Sequence, residues 1–338
     1  MQPQQFAEIP KPKLLEQVRQ AIKVRGYAQS TEDAYCNWIK RFILFHGKRH
    51  PSEMSVLEAE QFLSFLAEVE YVSASTQNQA LSAILFLYKH VLNSPLEQRI
   101  DASRAKAYRH VPMVMSIEEV RKLLEQLSGT KRFMAELTYG AGLRLLEVHR
   151  LRIGDIDFEA KRLLIVDGKG RKDRYTILPS DLFRPLQRQI AIVASLHATD
   201  LLNGVGQAVL PRAFFRKSWE ASRQLRWQFV FPSKSIFHDS RTGNSGRWHV
   251  NPSGLQTAIR DAAEKAGITK RVTVHTLRHS FATHMLHDGC DIRTLQVLLG
   301  HTHVNTTMIY AHVNDNFSLT NRSPLDRHGL HGAGHVDA

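Results

Sequence analysis

The chain has 338 residues, 43% of them hydrophobic and 23% charged, a globular composition long enough for about two domains. Its 45 Lys+Arg against 32 Asp+Glu give a formal charge of +13, which points to a polyanionic partner, chiefly nucleic acid. The apolar stretches near 80–92 and 189–196 are broken by polar residues and too short to span a bilayer, and Met1–Lys13 shows no basic-then-apolar pattern that would point to export. Two distant cysteines, Cys36 and Cys290, make neither a disulfide framework nor a zinc site on their own. The expectation is a cytoplasmic, nucleoid-associated protein with no membrane contact. The charge is uneven. Residues 1–95 hold 10 basic and 9 acidic side chains, whereas 201–250 alone hold 8 basic and 2 acidic.

The first part predicts an all-helical unit. Leu14, Leu15, Val18 and Ile22 recur at helical spacing before Gly26. A second helix runs from Ser30 through Tyr35, Trp38, Ile39, Phe42 and Phe45 to Gly47. The SVLE run at Ser55–Glu58 is a capping box that opens a third, with Phe62, Leu63 and Leu66. A fourth follows Ser73–Ser75 and carries Leu81, Ile84, Leu85, Tyr88 and Val91. Lys40, Arg41 and Lys89 on these helices are phosphate contacts or solvated faces. Residues 1–95 thus read as a four-helix domain, and 96–112, where the apolar period breaks, as a basic linker.

A second capping box, Ser116–Glu119, opens the next domain, with helices to Tyr139. The run GAGLRLLE is a glycine-rich turn feeding a helix. RLLIVDGKGRKDRYTILP holds two β-rich runs joined by a Gly-Lys-Gly hairpin signal. Helix returns over 180–197. Residues 201–250 read as irregular, basic and aromatic. Further helices are predicted at 252–266, 275–287, 291–299 and about 305–311. The resulting class is mainly α with a small β-sheet, the second domain being α+β.

The chemistry gathers late in the chain. Residues 275–312 hold seven histidines. His275 and His279 are four apart on a helix, a spacing that could hold a metal, but the intervening Arg278 would repel one, and no metal is expected. Cations without carboxylates suit an anion better, and the Arg278 fork matches phosphate oxygens. Tyr310 is a weak nucleophile unless a base or a positive field helps it. Arginines and histidines around it would supply that field and stabilise a pentavalent phosphorane without a cofactor. Lys169, on the hairpin, is a candidate general acid for the leaving oxygen. Taken singly, each residue has a plain reading: Tyr310 as core, Lys169 as a turn lysine, Arg144 as a salt bridge to Glu147.

In order, GLRLLE, GKG, HTLRH, LLGH and Tyr310 nine residues after His301 resemble the tyrosine recombinase (integrase) family. The resemblance implies that Arg144, Lys169, His275, Arg278 and His301 are catalytic, that Tyr310 is the nucleophile and that Glu147 supports them. It implies a C-shaped clamp on DNA, made of an N-terminal core-binding domain and a catalytic domain at 113–320, followed by a tail at 321–338. It also implies a 3′-phosphotyrosyl intermediate, a homodimer on each site and a homotetramer in the synapse.

Lys169 and His275 are 106 residues apart, and the segment at about 200–250 resembles the additional segment of integron integrases. STEDAYCNWIKRFILFHGKRHP and RSPLD, at Arg322–Asp326, resemble the same subfamily. That implies gene-cassette integration and excision, with DNA partners that include a duplex attachment site and a folded single-stranded hairpin. Reading an extrahelical base calls for aromatic faces and cations. Pro232, Trp248 and His249 are the candidate base contacts, with Trp227, Arg241 and Arg247 beside them. The alternating WQFVF run, Trp227–Phe231, can equally be a small core. Two positions depart from the pattern: Trp248-His249 stands where two histidines are common, and Leu146 where serine is common. The rival readings are a phage-type or chromosome-resolving recombinase on duplex DNA, a type IB topoisomerase, and a DNA-binding module without catalysis.

Overall fold

The computed structural model describes residues 12–96, 100–106, 112–166, 173–210, 220–239 and 243–311. The chain divides into two compact units, Met1–His110 and Val111–Ala338. Among the described residues no helix is long and apolar enough to cross a membrane.

The first unit is built from α1 (Leu14–Val24), α2 (Gln29–Phe45), α3 (Val56–Glu68) and α4 (Ala74–His90). The apolar stripe of each helix supplies a shared core of Val18, Ile22, Ile39, Phe42, Phe62, Leu66, Ile84 and Leu87. The predicted capping box at Ser55 and Glu58 forms, with both backbone N–H groups satisfied. Arg41 is engaged by Glu70 at 2.7 Å. Residues 100–106, read from sequence as part of a linker, lie against this bundle. Ala102 is buried, the Asp101 N–H donates to Glu60, and Ser103 N–H donates to Ser64 Oγ. The buried Gln77 fixes them, donating to the Ser103 carbonyl at 2.6 Å and accepting from Ala105 N–H at 3.0 Å. A buried amide satisfied on both ends by backbone holds an extended segment where apolar periodicity is silent.

The second unit begins with α5 (Ile117–Glu125), α6 (Gly129–Ala141) and the short α7 (Leu145–Arg150). A three-stranded antiparallel sheet follows: β1 (Ile156–Asp157), β2 (Arg162–Ile165) and β3 (Arg174–Ile177), in that order. Strands β2 and β3 are the hairpin predicted from sequence; β1, two residues long, has too little pattern to predict. Then come α8 (Phe183–Leu202), β4 (Pro232–His238), β5 (Ser245–His249), α9 (Pro252–Lys265), α10 (Val274–His287), α11 (Ile292–Leu299) and α12 (Asn305–Ala311). Its core joins Leu123, Phe133, Tyr139, Val148, Leu163, Leu186, Phe231, Ile259, Leu277, Phe281, Leu295 and Leu299. The 200–250 region is more regular than its sequence suggests. β4 and β5 pair antiparallel, with Ile236 opposite Arg247 and His238 opposite Ser245. Strand β4 starts at Pro232, after the alternating WQFVF run. That run instead lies beside 151–153, with Ile153 N–H donating to Gln228 O and Val230 N–H to Leu151 O.

Helix α6 ends at Gly142, whose left-handed φ of +63° turns the chain toward α7. A Cβ there would sit 2.5 Å from two Phe281 ring carbons. Gly142→Ala is therefore expected to cost about 2–4 kcal/mol through backbone strain and overpacking together. Chemical denaturation of the full chain measures this; an unchanged midpoint would show that Phe281 yields.

Candidate active site

Glu147 is the centre of the site. It is the third residue of α7, and its carboxylate accepts from the Arg144 N–H at 2.8 Å, so it also caps its own helix. Arg144 Nη1 donates to the same carboxylate at 2.7 Å. Arg174 on β3 binds it with both Nη atoms, at 2.8 and 2.7 Å. Arg278 on α10 stands 3.7 Å from it. Burial pushes the Glu147 carboxyl up, but the Arg174 hydrogen bonds and charge, the Arg144 N–H and the Arg278 charge outweigh it and hold the group at about 2.

The C-terminus of α11 supplies the remaining acceptors. Arg174 Nε donates to Leu298 O at 2.9 Å, Arg278 Nη2 to Leu299 O at 2.6 Å, and Arg144 Nη2 to Gly300 O at 3.4 Å. These are the carbonyls that a helix leaves unpaired at its negative end. Gly300 closes that helix at φ +63°, and a Cβ there would meet Arg174 Cδ at 2.6 Å. Arg278 also donates to Gly142 O. Its fork is thus engaged on both Nη atoms and 3% exposed, while the Arg144 side chain keeps 20% exposure.

The histidines near this arrangement are all shifted toward the neutral form. His301 is driven down to about 3, first by burial and then by Arg278, Arg144 and Arg174. His279 falls to about 4 through burial, His275 and Arg278, and His275 is lowered by burial, Arg278 and Arg144. The positive field assigned from sequence to arginines and histidines together therefore comes from the arginines. Arg278 Nη2 can only donate, so the His301 Nε2 it meets at 3.3 Å must accept, and Nδ1–H donates to Thr307 Oγ1 at 2.9 Å. The His275 and His279 rings are 6.5 Å apart, but His279 Nδ1 lies 2.7 Å from Tyr310 Oη. Tyr310 is 2% exposed and stacks on His301 at 6.4 Å between ring centroids. Burial raises its phenol pKa, and Arg278 and Arg144 oppose that rise.

The structure thus brings together Arg144, Glu147, His275, Arg278, His301 and Tyr310, as the sequence predicted. Lys169 lies outside the described residues. Arg174 and His279 join the site without having been expected there. Arg174 had a weak signal: it shares a strand face with Thr176, which is buried, so its cation had to meet an anion inside.

A second group surrounds the β4–β5 hairpin. Trp248 is 40% exposed and packs edge-on against Phe229 and Phe237. Two sequence assignments need correction here. His249 is buried, wedged against Phe229, Trp248 and His149, so it has no face for a base. Arg247 is committed to Asp200 of α8 through two bonds of 2.6 and 2.8 Å. It anchors the hairpin and has no free fork for phosphate. Pro232 is half-buried at the start of β4, and Trp227 is half-buried with Arg152 and Arg226 5.8 and 5.5 Å from its ring. Arg241 lies outside the described residues.

Residues 113–316 match the model of the phage integrase family, and 14–98 match the phage integrase N-terminal SAM-like domain. The chain belongs to the phage integrase family. It is a tyrosine recombinase, an enzyme that cleaves and religates DNA strands. It is 42% identical over 314 residues to proteins described as "Integrase/recombinase" from Escherichia coli and Pseudomonas aeruginosa, covering 93% of each chain. The tyrosine recombinase XerC of Oceanobacillus iheyensis is 30% identical over 284 residues, covering 80% of this chain and 81% of that one. In fold, the recombinase resembles a lambda integrase dimer bound to a core site, with TM-score 0.60, 15% identity, and 91% and 98% of the two chains covered.

The Glu147 cluster carries a pH-dependent prediction. A carboxyl lowered from 4.5 to about 2 stabilises the fold fully above about 4.5 and loses that contribution as pH falls toward 2. Glu147→Gln should cost about 3–5 kcal/mol at pH 7, because it strips buried guanidinia of their partner. The gap between variant and wild type should narrow only below about pH 4.5. Denaturant titrations at stepped pH values test this, and a gap that is small at pH 7 or independent of pH would contradict it.

Proposed function

We propose that this recombinase is an integron-type integrase that integrates and excises gene cassettes, acting on folded single-stranded cassette sites as well as duplex attachment sites. The observation that carries this reading is the exposed aromatic edge of the β4–β5 hairpin. Trp248 presents an indole face, backed by Phe229 and Phe237, and Asp200–Arg247 pins the strand beneath it. An indole braced by aromatic neighbours suits stacking on an extrahelical base. Trp248 and Pro232 are the proposed base contacts. The 42% identity to "Integrase/recombinase" proteins, against 26–30% for two XerC relatives, weighs against the chromosome-resolving alternative.

In this reading Tyr310 attacks the phosphodiester. Its Oη forms the 3′-phosphotyrosyl bond, and the 5′ oxygen leaves with a proton that Lys169 supplies. Arg144, Arg278, His275 and His301 surround the phosphoryl oxygens. The charge they neutralise is greatest in the pentavalent transition state, where fixed donors contribute most. Attack by the 5′-hydroxyl of a partner strand reverses the step and frees Tyr310. The bond energy stays in the phosphotyrosine link throughout. The working assembly is a homodimer on each site and a homotetramer in the synapse, acting on DNA in the nucleoid.

Denaturing gels with labelled DNA test the reading. Wild type should form a covalent adduct with a bulged single-stranded hairpin. Tyr310→Phe should retain DNA affinity and form none. An adduct on fully paired duplex alone would favour a phage-type or chromosome-resolving recombinase instead. Trp248→Ala should weaken binding to the bulged hairpin by about 10-fold, given about 1–3 kcal/mol per stacked base, and leave duplex binding nearly unchanged. Equal losses on both would make Trp248 a packing residue. Lys169→Ala should slow cleavage of ordinary DNA but spare a substrate whose leaving group needs no proton; no sparing would remove Lys169 as the acid.

A further inference from the structure

Tyr310 must lose its phenolic proton as it attacks. Among the described residues, its hydroxyl has one hydrogen-bond partner, Nδ1 of His279 at 2.7 Å. Burial keeps this phenol protonated, and the buried O–H needs an acceptor. A donating Nδ1–H would leave the phenol proton without a partner, so Nδ1 carries the lone pair. His279 sits one residue after Arg278 on α10, a rigid helix fixed by the Thr273 cap and by Met115 N–H on Ser280 Oγ. His301 is poorly placed to act as this acceptor, because its Nε2 faces Arg278 and its Nδ1 faces Thr307. We propose that His279 is a further catalytic residue, the general base that takes the proton of Tyr310 through Nδ1. This rests on the reading of Tyr310 as the nucleophile.

The proton balance is complete. As the Tyr310 Oη–phosphorus bond forms, the phenol proton moves to His279 Nδ1 and the phosphorus–5′ oxygen bond breaks. The leaving oxygen takes a different proton, from the general acid. In rejoining, the incoming 5′-hydroxyl gives its proton back to that acid, and imidazolium His279 reprotonates Tyr310. Without DNA, the surroundings weaken this base, since burial and the Arg278 charge both disfavour a charged His279. A phosphodiester among Arg144 and Arg278 would supply the opposing negative charge. The base would therefore strengthen only when substrate is seated, and idle ionisation of the phenol would be suppressed.

His279→Asn is the informative variant, because its amide reaches the position of Nδ1 and can hold the phenol but cannot accept its proton. The probe is a nicked duplex bearing a sequence that the wild-type full chain captures covalently from a random-sequence pool. The variant should bind this probe normally and form adduct about 10²–10³-fold more slowly, the range general-base catalysis supplies. Its rate should climb with pH more steeply than that of wild type. Replacing Tyr310 by a fluorinated tyrosine of lower phenol pKa should recover most of the loss. A rate within about threefold of wild type, far short of that range, would overturn the proposal. So would a loss that neither pH nor the more acidic phenol restores, since that would make His279 a positioning residue only. Failure of the wild type to capture any sequence would instead count against the nucleophile reading itself. Independently of DNA, ¹⁵N NMR of the full chain should show His279 Nδ1 unprotonated at neutral pH; a protonated Nδ1 would overturn the assignment.

Discussion

One carboxylate allows this site to exist. Arg144, Arg174 and Arg278 come from the start of α7, from β3 and from α10, and guanidinium groups so close and so little exposed repel one another strongly at low dielectric. Glu147 meets all three, and the carbonyls of Leu298, Leu299 and Gly300 each accept one further N–H from them. The compensation is incomplete in charge. Three cations face one anion, so two positive charges are left for a phosphodiester and for the further charge that builds in its transition state. Each fork is held by at least two hydrogen bonds, so it is already oriented when substrate arrives. Preorganisation of this kind avoids reorganising dipoles during reaction.

The same field separates the roles of the two kinds of cationic residue. Arginine cannot give up its proton under these conditions, so it keeps its charge under desolvation. Histidine can, and the two histidines that touch Tyr310, His279 and His301, are driven that way by burial and by Arg278 acting in the same direction. In the proposed mechanism the arginines hold the anion, and the imidazoles serve as neutral donors and acceptors. Arg278 fixes the His301 tautomer from outside, and Thr307 reads it on the other nitrogen. A neutral cluster of imidazoles in a permanently cationic frame is suited to moving protons without losing its grip on phosphate.

Much of this was legible in the sequence. Helical periodicity and the caps at Ser55 and Ser116 found most helices, because those signals are local. The pairing of Arg144 with Glu147 was legible for the same reason: the residues are three apart. Arg174 was not, since a single arginine in a strand says nothing until the burial of its face is known. His279 appeared only as a spacing partner of His275, because contact with Tyr310 spans 31 residues. The β4–β5 hairpin escaped because its restraints are non-local: Arg247 to Asp200, and Ser245 to Gly206 and Gln207. Adjacent residues on a strand face opposite ways, so Trp248 and His249 could not both meet the same base. A strand assignment at 245–249 would have corrected that pairing.

The hairpin is tied to the backbone that leaves the catalytic helix. Leu151 and Ile153, just beyond α7, exchange hydrogen bonds with Val230 and Gln228, and Arg152 lies over the Phe229 ring at 4.5 Å. Phe229 in turn supports Trp248, while His249 meets His149 of α7 at 5.9 Å between ring centroids. The path from the exposed indole to the helix that Arg144 opens and Glu147 caps is therefore one layer of packed aromatic rings plus a short backbone ladder. Close-packed interiors transmit displacement with little loss. Under the proposed function, a base seated against Trp248 and a phosphate seated against Arg144 would press on the same few residues.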